Sequence, residues 1–293
     1  MSGQLRVLKN RIRSVENTKK ITRAMEMVAA AKLRRFQTMM QDAKPFTEGI
    51  ETLLKRLNGA QGDAERKLHP FFEKKTENRI ALVLITSDAG LCGTYNTELI
   101  NMANAFLAGK KERCLLVGVG KSGISALERK GHRFHRGFTD TRASQVEPVL
   151  REFQATLEKL YLDREVDAVY VVYCHFLTRT AYKAVLEKVL PLEEPEAAQE
   201  DAPGAGTDYI FEPSTDEIFD RLIPLFFEAK TRMIFLEAFV SEQIARMNAM
   251  HQATKNAKEM IESLVLLRNK ARQASITKEL IEVVSGSQAL KLR

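Results

Sequence analysis

From Leu225 to Ser285 the chain contains neither glycine nor proline, and its apolar side chains return at every third or fourth place. Ile218, Leu222, Leu225, Ala229, Met233, Leu236, Val240, Ile244 and Met247 therefore fall on one face of a long helix. At 1.5 Å per residue that helix is roughly 90 Å long, deeper than the core of any domain a chain of this size builds. A second long helix, or a sleeve made by other chains, has to cover the stripe.

The other end of the chain supplies such a helix. Gln4 to Lys44 again lacks glycine and proline, and Leu5, Leu8, Ile12 and Val15 begin a heptad-like stripe. The spacing predicts that the stripe resumes as Ile21, Met25 and Val28 after a three-residue slip through Thr18. Ala29, Ala30 and Ala31 then leave room for a close neighbour. Pro45 predicts a stop or a kink, after which Phe46, Ile50, Leu53, Leu54 and Leu57 restart the pattern, and Asn58 to Asp63 closes it.

Between the helices, Asn78 to Leu192 alternates strands with helices. Arg79–Asp88, Arg113–Gly118 and Ala168–Phe176 read as buried strands. Thr97–Lys110, Lys121–Lys130 and Gln145–Leu162 read as helices. That order predicts an α/β fold, with a central mostly parallel sheet and helices on both faces. If the chain enters and leaves this block on the same side, the terminal helices form a long antiparallel two-helix coiled coil. The expected segments are 1–58 (coiled-coil helix), 78–192 (α/β head), 193–212 (acidic loop and connection) and 213–293 (coiled-coil helix). Glu193 to Thr207, rich in Glu, Pro, Gly and Ala, reads as an exposed loop.

Charge adds a partner question. The net charge is +7, but Met1 to Met40 holds ten Lys and Arg against only Glu16 and Glu26. Nucleic acid, an anionic membrane surface and an acidic protein all suit such a helix, as does a merely solvated face. Few aromatic residues interleave the basic ones, which weighs against nucleic acid. Apolar runs are strand-sized, short of the ~20 residues that cross a bilayer. The N-terminus shows no signal or transit segment, so a soluble chain kept in a cytosol is expected. Cys92, Cys114 and Cys174 lack metal or redox spacing and read as packing residues.

Catalytic signals are weak. Gly118-Val119-Gly120-Lys121-Ser122-Gly123 matches the dinucleotide pattern after a strand, and Asp140 falls about where a ribose-binding acid sits. Against that, the strand is the second of its block, Lys121 crowds the turn, and no residue is placed for hydride chemistry. A dinucleotide-binding enzyme using Gly118 to Gly123 remains the alternative. Cys92 has no histidine near in sequence to activate it. The five histidines show no metal spacing, and neither cofactor nor metal is expected.

Arg11-Ile12-Arg13-Ser14-Val15-Glu16-Asn17-Thr18-Lys19-Lys20-Ile21-Thr22-Arg23-Ala24-Met25-Glu26-Met27-Val28-Ala29-Ala30-Ala31-Lys32 closely resembles the N-terminal helix of the F-type ATP synthase gamma subunit family. Asn269-Lys270-Ala271-Arg272-Gln273-Ala274-Ser275-Ile276-Thr277-Lys278-Glu279-Leu280 resembles its C-terminal signature, and Ser87 to Asn96 resembles its Ser-Asp-Arg-Gly-Leu-Cys-Gly-Gly loop. The resemblance implies a central rotor shaft without catalysis of its own, surrounded by three alpha and three beta subunits. It also implies a head seated on epsilon and on a membrane ring of ion-carrying subunits. Nucleic-acid binding and direct membrane insertion are not implied. Arg272, Gln273, Thr277 and Glu279 match positions that contact the alpha-beta ring, and Arg246 and Met25 match further ones. Tyr209 and Glu212 are expected at the membrane ring. Ala89, Thr94 and Lys278 depart from the family's Arg, Gly and Gln, so contacts made by those side chains do not carry over. No Cys lies in Glu193 to Thr207, which together with the missing transit segment implies a bacterial protein, peripheral on the cytoplasmic face of the plasma membrane.

Overall fold

The computed structural model describes residues 2–60, 69–73, 75–110, 113–140, 146–178, 180–193 and 215–291. The order is α1 (Ser2–Ala60), a 3-10 turn (Pro70–Phe72), β1 (Ile80–Ile85), α2 (Tyr95–Leu107), β2 (Cys114–Val119), α3 (Lys121–Glu128), β3 (Phe134–Phe138), α4 (Val146–Leu162), β4 (Ala168–Thr178), β5 (Ala181–Leu190) and α5 (Thr215–Lys291). The chain divides into two compact units. One joins residues 1–29 to 247–293, and the other is 30–246.

In the second unit a five-stranded sheet runs β3-β2-β1-β4-β5. The first four strands are parallel, and β5 returns antiparallel to β4 as an edge hairpin. All of β1 is buried, as a parallel strand covered on both faces must be. Leu82, Leu84, Leu116 and Val172 turn toward Tyr95, Leu99 and Ala103 of α2 and Leu127 of α3. By alternation Val119 and its register partner Phe138 face the other side. There Phe153 of α4 lies 6.0 Å from Phe138 and 4.7 Å from Phe235 of α5, ring centre to ring centre.

Strand β3 was not among the expected buried strands, since His135, Arg136 and Gly137 are exposed. Strand β5 was not foreseen, because Ala181–Leu190 mixes apolar and charged residues in the way a half-exposed edge strand does. From Ile234 to Ala245 nearly every side chain of α5 except Glu237 is buried. Helix α1 stacks on this stretch, with Phe36 and Phe239 5.2 Å apart. Leu225, assigned to the buried stripe, is 43% exposed, and the covered positions are Phe219, Ile223 and Phe227. Helix α1 passes through Pro45. Ile50, Leu54 and Leu57 are buried, whereas Phe46 and Leu53 face outward.

In the first unit α1 and α5 pair antiparallel. Leu8 and Ile12 pack with Leu264, flanked by Val15, Val265 and Ala271. Farther along α1, the Thr22 hydroxyl meets that of Thr254 at 2.8 Å, and Glu26 meets His251 at 3.1 Å. No slip occurs at Thr18. The seam keeps a three-four alternation through Leu5, Leu8, Ile12, Val15, Lys19, Thr22, Glu26 and Ala29, all buried or half-buried. Ile21 and Val28, expected in the stripe, are 60% and 55% exposed. Apolarity misplaced them, since polar residues hold three consecutive seam positions.

Candidate functional site

Three places merit a functional reading: the glycine turn after β2, the loop after β1, and the end of α5.

The glycine turn is filled by the protein itself. Gly120 has φ +89, and a Cβ there would stand 2.0 Å from the Thr86 carbonyl oxygen. A Cβ on Gly123 would meet the Thr86 side chain at 2.7 Å, and one on Gly118 would meet Ile124 at 2.5 Å. These glycines let β1, β2 and α3 approach one another. The amides that open α3, which in a dinucleotide site would face phosphate, already have acceptors. Lys121 N–H donates to Asp88 Oδ1 at 3.0 Å, Ser122 N–H to the Ser87 carbonyl at 3.1 Å, and Gly123 N–H to Thr86 Oγ1 at 2.9 Å. The Asp88 carboxylate supplies the negative charge that a helix N-terminus attracts. The dinucleotide alternative is therefore not favoured.

The loop Ser87–Thr94 is stitched from within. Ser87 N–H donates to Asn96 Oδ1 at 3.1 Å, Ser87 Oγ donates to the Ala89 carbonyl at 2.8 Å, and Asn96 Nδ2 donates to Cys92 Sγ at 3.2 Å. Cys92 is buried in this network as a packing thiol. Leu91 at the tip is 61% exposed and has φ +64. A leucine held left-handed costs about 1–2 kcal/mol, so the surrounding bonds determine the loop's shape.

At the far end of α5 the partner helix has run out. Every side chain from Ile276 to Ser285 is exposed. Among them Ile276, Leu280, Ile281, Val283 and Val284 are 49–70% exposed. Covering one such side chain fully is worth about 1.5–3 kcal/mol, so five of them side by side form an exposed apolar belt.

A sequence profile described as ATP synthase matches residues 4–290. The ATP synthase gamma chain of Anaeromyxobacter sp. strain Fw109-5 is 38% identical over 290 residues, covering 98% of this chain and 99% of that one. The gamma chain of Moorella thermoacetica is 38% identical over 289 residues, covering 99% and 100%. The chain belongs to the ATP synthase gamma chain family. Its fold matches a chain of the Euglena gracilis mitochondrial ATP synthase (OSCP/F1/c-ring, rotational state 3) with TM-score 0.67 and 18% identity, covering 99% of this chain and 95% of that one. A chain from the Tetrahymena thermophila mitochondrial ATP synthase (central stalk/c-ring) matches with TM-score 0.56 and 20% identity over 80% and 99%.

Family membership gives the expected contact residues a context. Arg272, Gln273, Thr277 and Glu279 are all exposed on the last turns of α5, and the Ser275 hydroxyl donates to Glu279 Oε1 at 3.2 Å. Met25 is half-buried beside the seam. Arg246 is paired within the chain. Tyr209 and Glu212, and the acidic stretch from 194 on, lie outside the described residues. The strained exposure of Leu91 was missed in the sequence, because no residue pattern announces a leucine at positive φ. A cavity of about 630 Å³ between α1, β4, β5 and α5 has charged walls that pair among themselves, with Lys230–Glu187 at 3.0 Å, His175–Glu237 at 2.6 Å and Lys55–Glu51 at 2.7 Å. Among the described residues no group of three or more His, Cys, Asp or Glu is arranged to hold a metal, and no helix is long and apolar enough to cross a membrane.

Proposed function

We propose that this chain is the central rotor shaft of an F-type ATP synthase. It has no catalysis of its own and couples ion-driven rotation of a membrane ring to the conformational cycle of the catalytic beta subunits, in ATP synthesis or hydrolysis. The observation that carries the reading is the end of α5, where five large apolar side chains stand uncovered beyond the helix pair. A chain with such a belt needs a sleeve, and three alpha and three beta subunits supply one.

Each catalytic site responds to the shaft only as far as its closed and open states touch it differently, so angular position biases each site in turn. Exposed Arg272, Gln273, Thr277 and Glu279 are the proposed catches with the ring, and Met25 marks where acidic beta loops pass α1. Exposed ion pairs of modest strength can break and re-form as the shaft turns. An added positive charge at Met25 would hold such a loop too firmly. The α/β part seats on epsilon and the membrane ring, which makes the protein peripheral on the cytoplasmic face of a bacterial plasma membrane.

Co-purification with the alpha and beta subunits of its own source tests the reading. The expected result is one copy per three alpha-beta pairs, with ATP turnover reduced by truncation after Arg268. A chain that never enters such a complex sinks the proposal.

A further inference from the structure

Arg246 sits where α5 meets the loop after β1. Its Nη1 donates to Glu242 Oε1 at 2.5 Å one turn back, and its Nη2 donates to the Ala89 carbonyl at 2.9 Å. The two side chains of the pair are each only 11% exposed. The same carbonyl accepts the Ser87 hydroxyl at 2.8 Å, while Asp88 ties the loop to the Lys121 amide at 3.0 Å. Between these anchors Ala89, Gly90 and Leu91 are exposed, with Leu91 in the left-handed region.

We propose that Arg246 is a positioning residue: through the Ala89 carbonyl it holds the exposed tip Ala89–Leu91 in fixed relation to α5, and it does not itself reach a neighbouring subunit. Swinging Arg246 outward would leave the buried Glu242 carboxylate without its ion pair and with the neutral Gln243 amide at 3.2 Å as its donor, while burial already pushes its pKa up. Lys32 on α1 is the other cation acting on Glu242, and Asp88 opposes it as a like charge. Only a planar guanidinium reaches two acceptors at once in set directions, so lysine is not a substitute. Any partner seated on Leu91 then reads the position of α5. That consequence rests on the rotor reading, but the clamp itself does not.

The test is amide hydrogen exchange of the full chain, free and assembled with alpha and beta subunits, for R246K and R246Q. Both variants should exchange about tenfold faster at the bonded amides that frame the tip, Ser87 N–H on Asn96 Oδ1 and Tyr95 N–H on the Cys92 carbonyl, as losing a charge-assisted bond implies. β1 and the rest of α2 should be unchanged and assembly retained. E242Q, which leaves the guanidinium a neutral acceptor in place of the carboxylate, should give a smaller rise in the same segment. Unchanged exchange in the loop overturns the proposal, and so does a rise spread through β1 and α2. Variants that fail to assemble while their free chains keep the loop protected would make Arg246 a direct partner contact and overturn it as well. If the unaltered chain itself fails to assemble, the rotor reading falls and exchange in the free chain still decides the clamp.

Discussion

The Thr254 hydroxyl lies 2.8 Å from the Thr22 hydroxyl, inside a seam where a heptad pattern calls for apolar side chains. Thr22 is only 8% exposed. A polar pair at such a level fixes which turn of one helix meets which turn of the other. T22V alone removes the bond across the seam while Thr254 keeps the Met250 carbonyl as an acceptor at 2.8 Å, so it should cost no more than about 0.5–1.5 kcal/mol, whereas T22V with T254V should be close to neutral. A double-mutant cycle on thermal unfolding of the full chain measures this. Simple additivity would show that the contact contributes nothing.

Ile12 and Ile21 belong to the same helix but to opposite sides of it. Ile12 is 7% exposed and Ile21 60%. I12A should destabilise the helix pair by about 2 kcal/mol or more, and I21A should stay within about 0.5 kcal/mol. Circular-dichroism melts distinguish them. Equal losses would mean that the stripe runs through Ile21 after all.

Gly120 and Gly90 separate packing from mere loop composition. Alanine at 120 combines φ +89 with a Cβ 2.0 Å from a backbone oxygen, while a Cβ at 90 meets nothing within 4 Å. G120A should cost at least about 2 kcal/mol and G90A little. Because Asp88, Ser87 and Thr86 occupy the amides of α3, calorimetric titration with NAD or NADP should give no saturable binding. Micromolar binding abolished by G120A would restore the dinucleotide reading.

Glu237 makes stability depend on pH. Burial pushes its carboxyl up, and the like charge of Glu187 adds to this, while the bond from His175 opposes it. A folded carboxyl raised above its unfolded value, near 4.5, binds its proton more tightly in the native state. Its contribution is therefore greatest below that value and declines as pH rises through the folded pKa. E237Q should flatten this decline, which sets in above about pH 4.5, in melts of the full chain. An unaltered pH profile would place the dependence elsewhere.

The sequence by itself determined the elements whose side chains answer to one local rule. The parallel strands are short apolar runs because both faces are covered, and the terminal helices are periodic because one face of each is. The end signatures Arg11–Lys32 and Asn269–Leu280 were legible for the same reason, being contiguous. Tertiary structure decided whatever depends on residues distant in the chain. Thr22 and Glu26 hold seam positions because Thr254 and His251 lie opposite them, so counting apolar residues alone moved the stripe to Ile21 and Val28. The Gly118–Gly123 turn carries a nucleotide-like spacing, but only the approach of Thr86, Ser87 and Asp88 shows that its amides are already bonded. The sequence places Arg246 among the expected contacts to the alpha-beta ring, and only folding sets the Ala89 carbonyl 2.9 Å from it. Periodicity records which side of an element is covered, and it carries no record of what covers it.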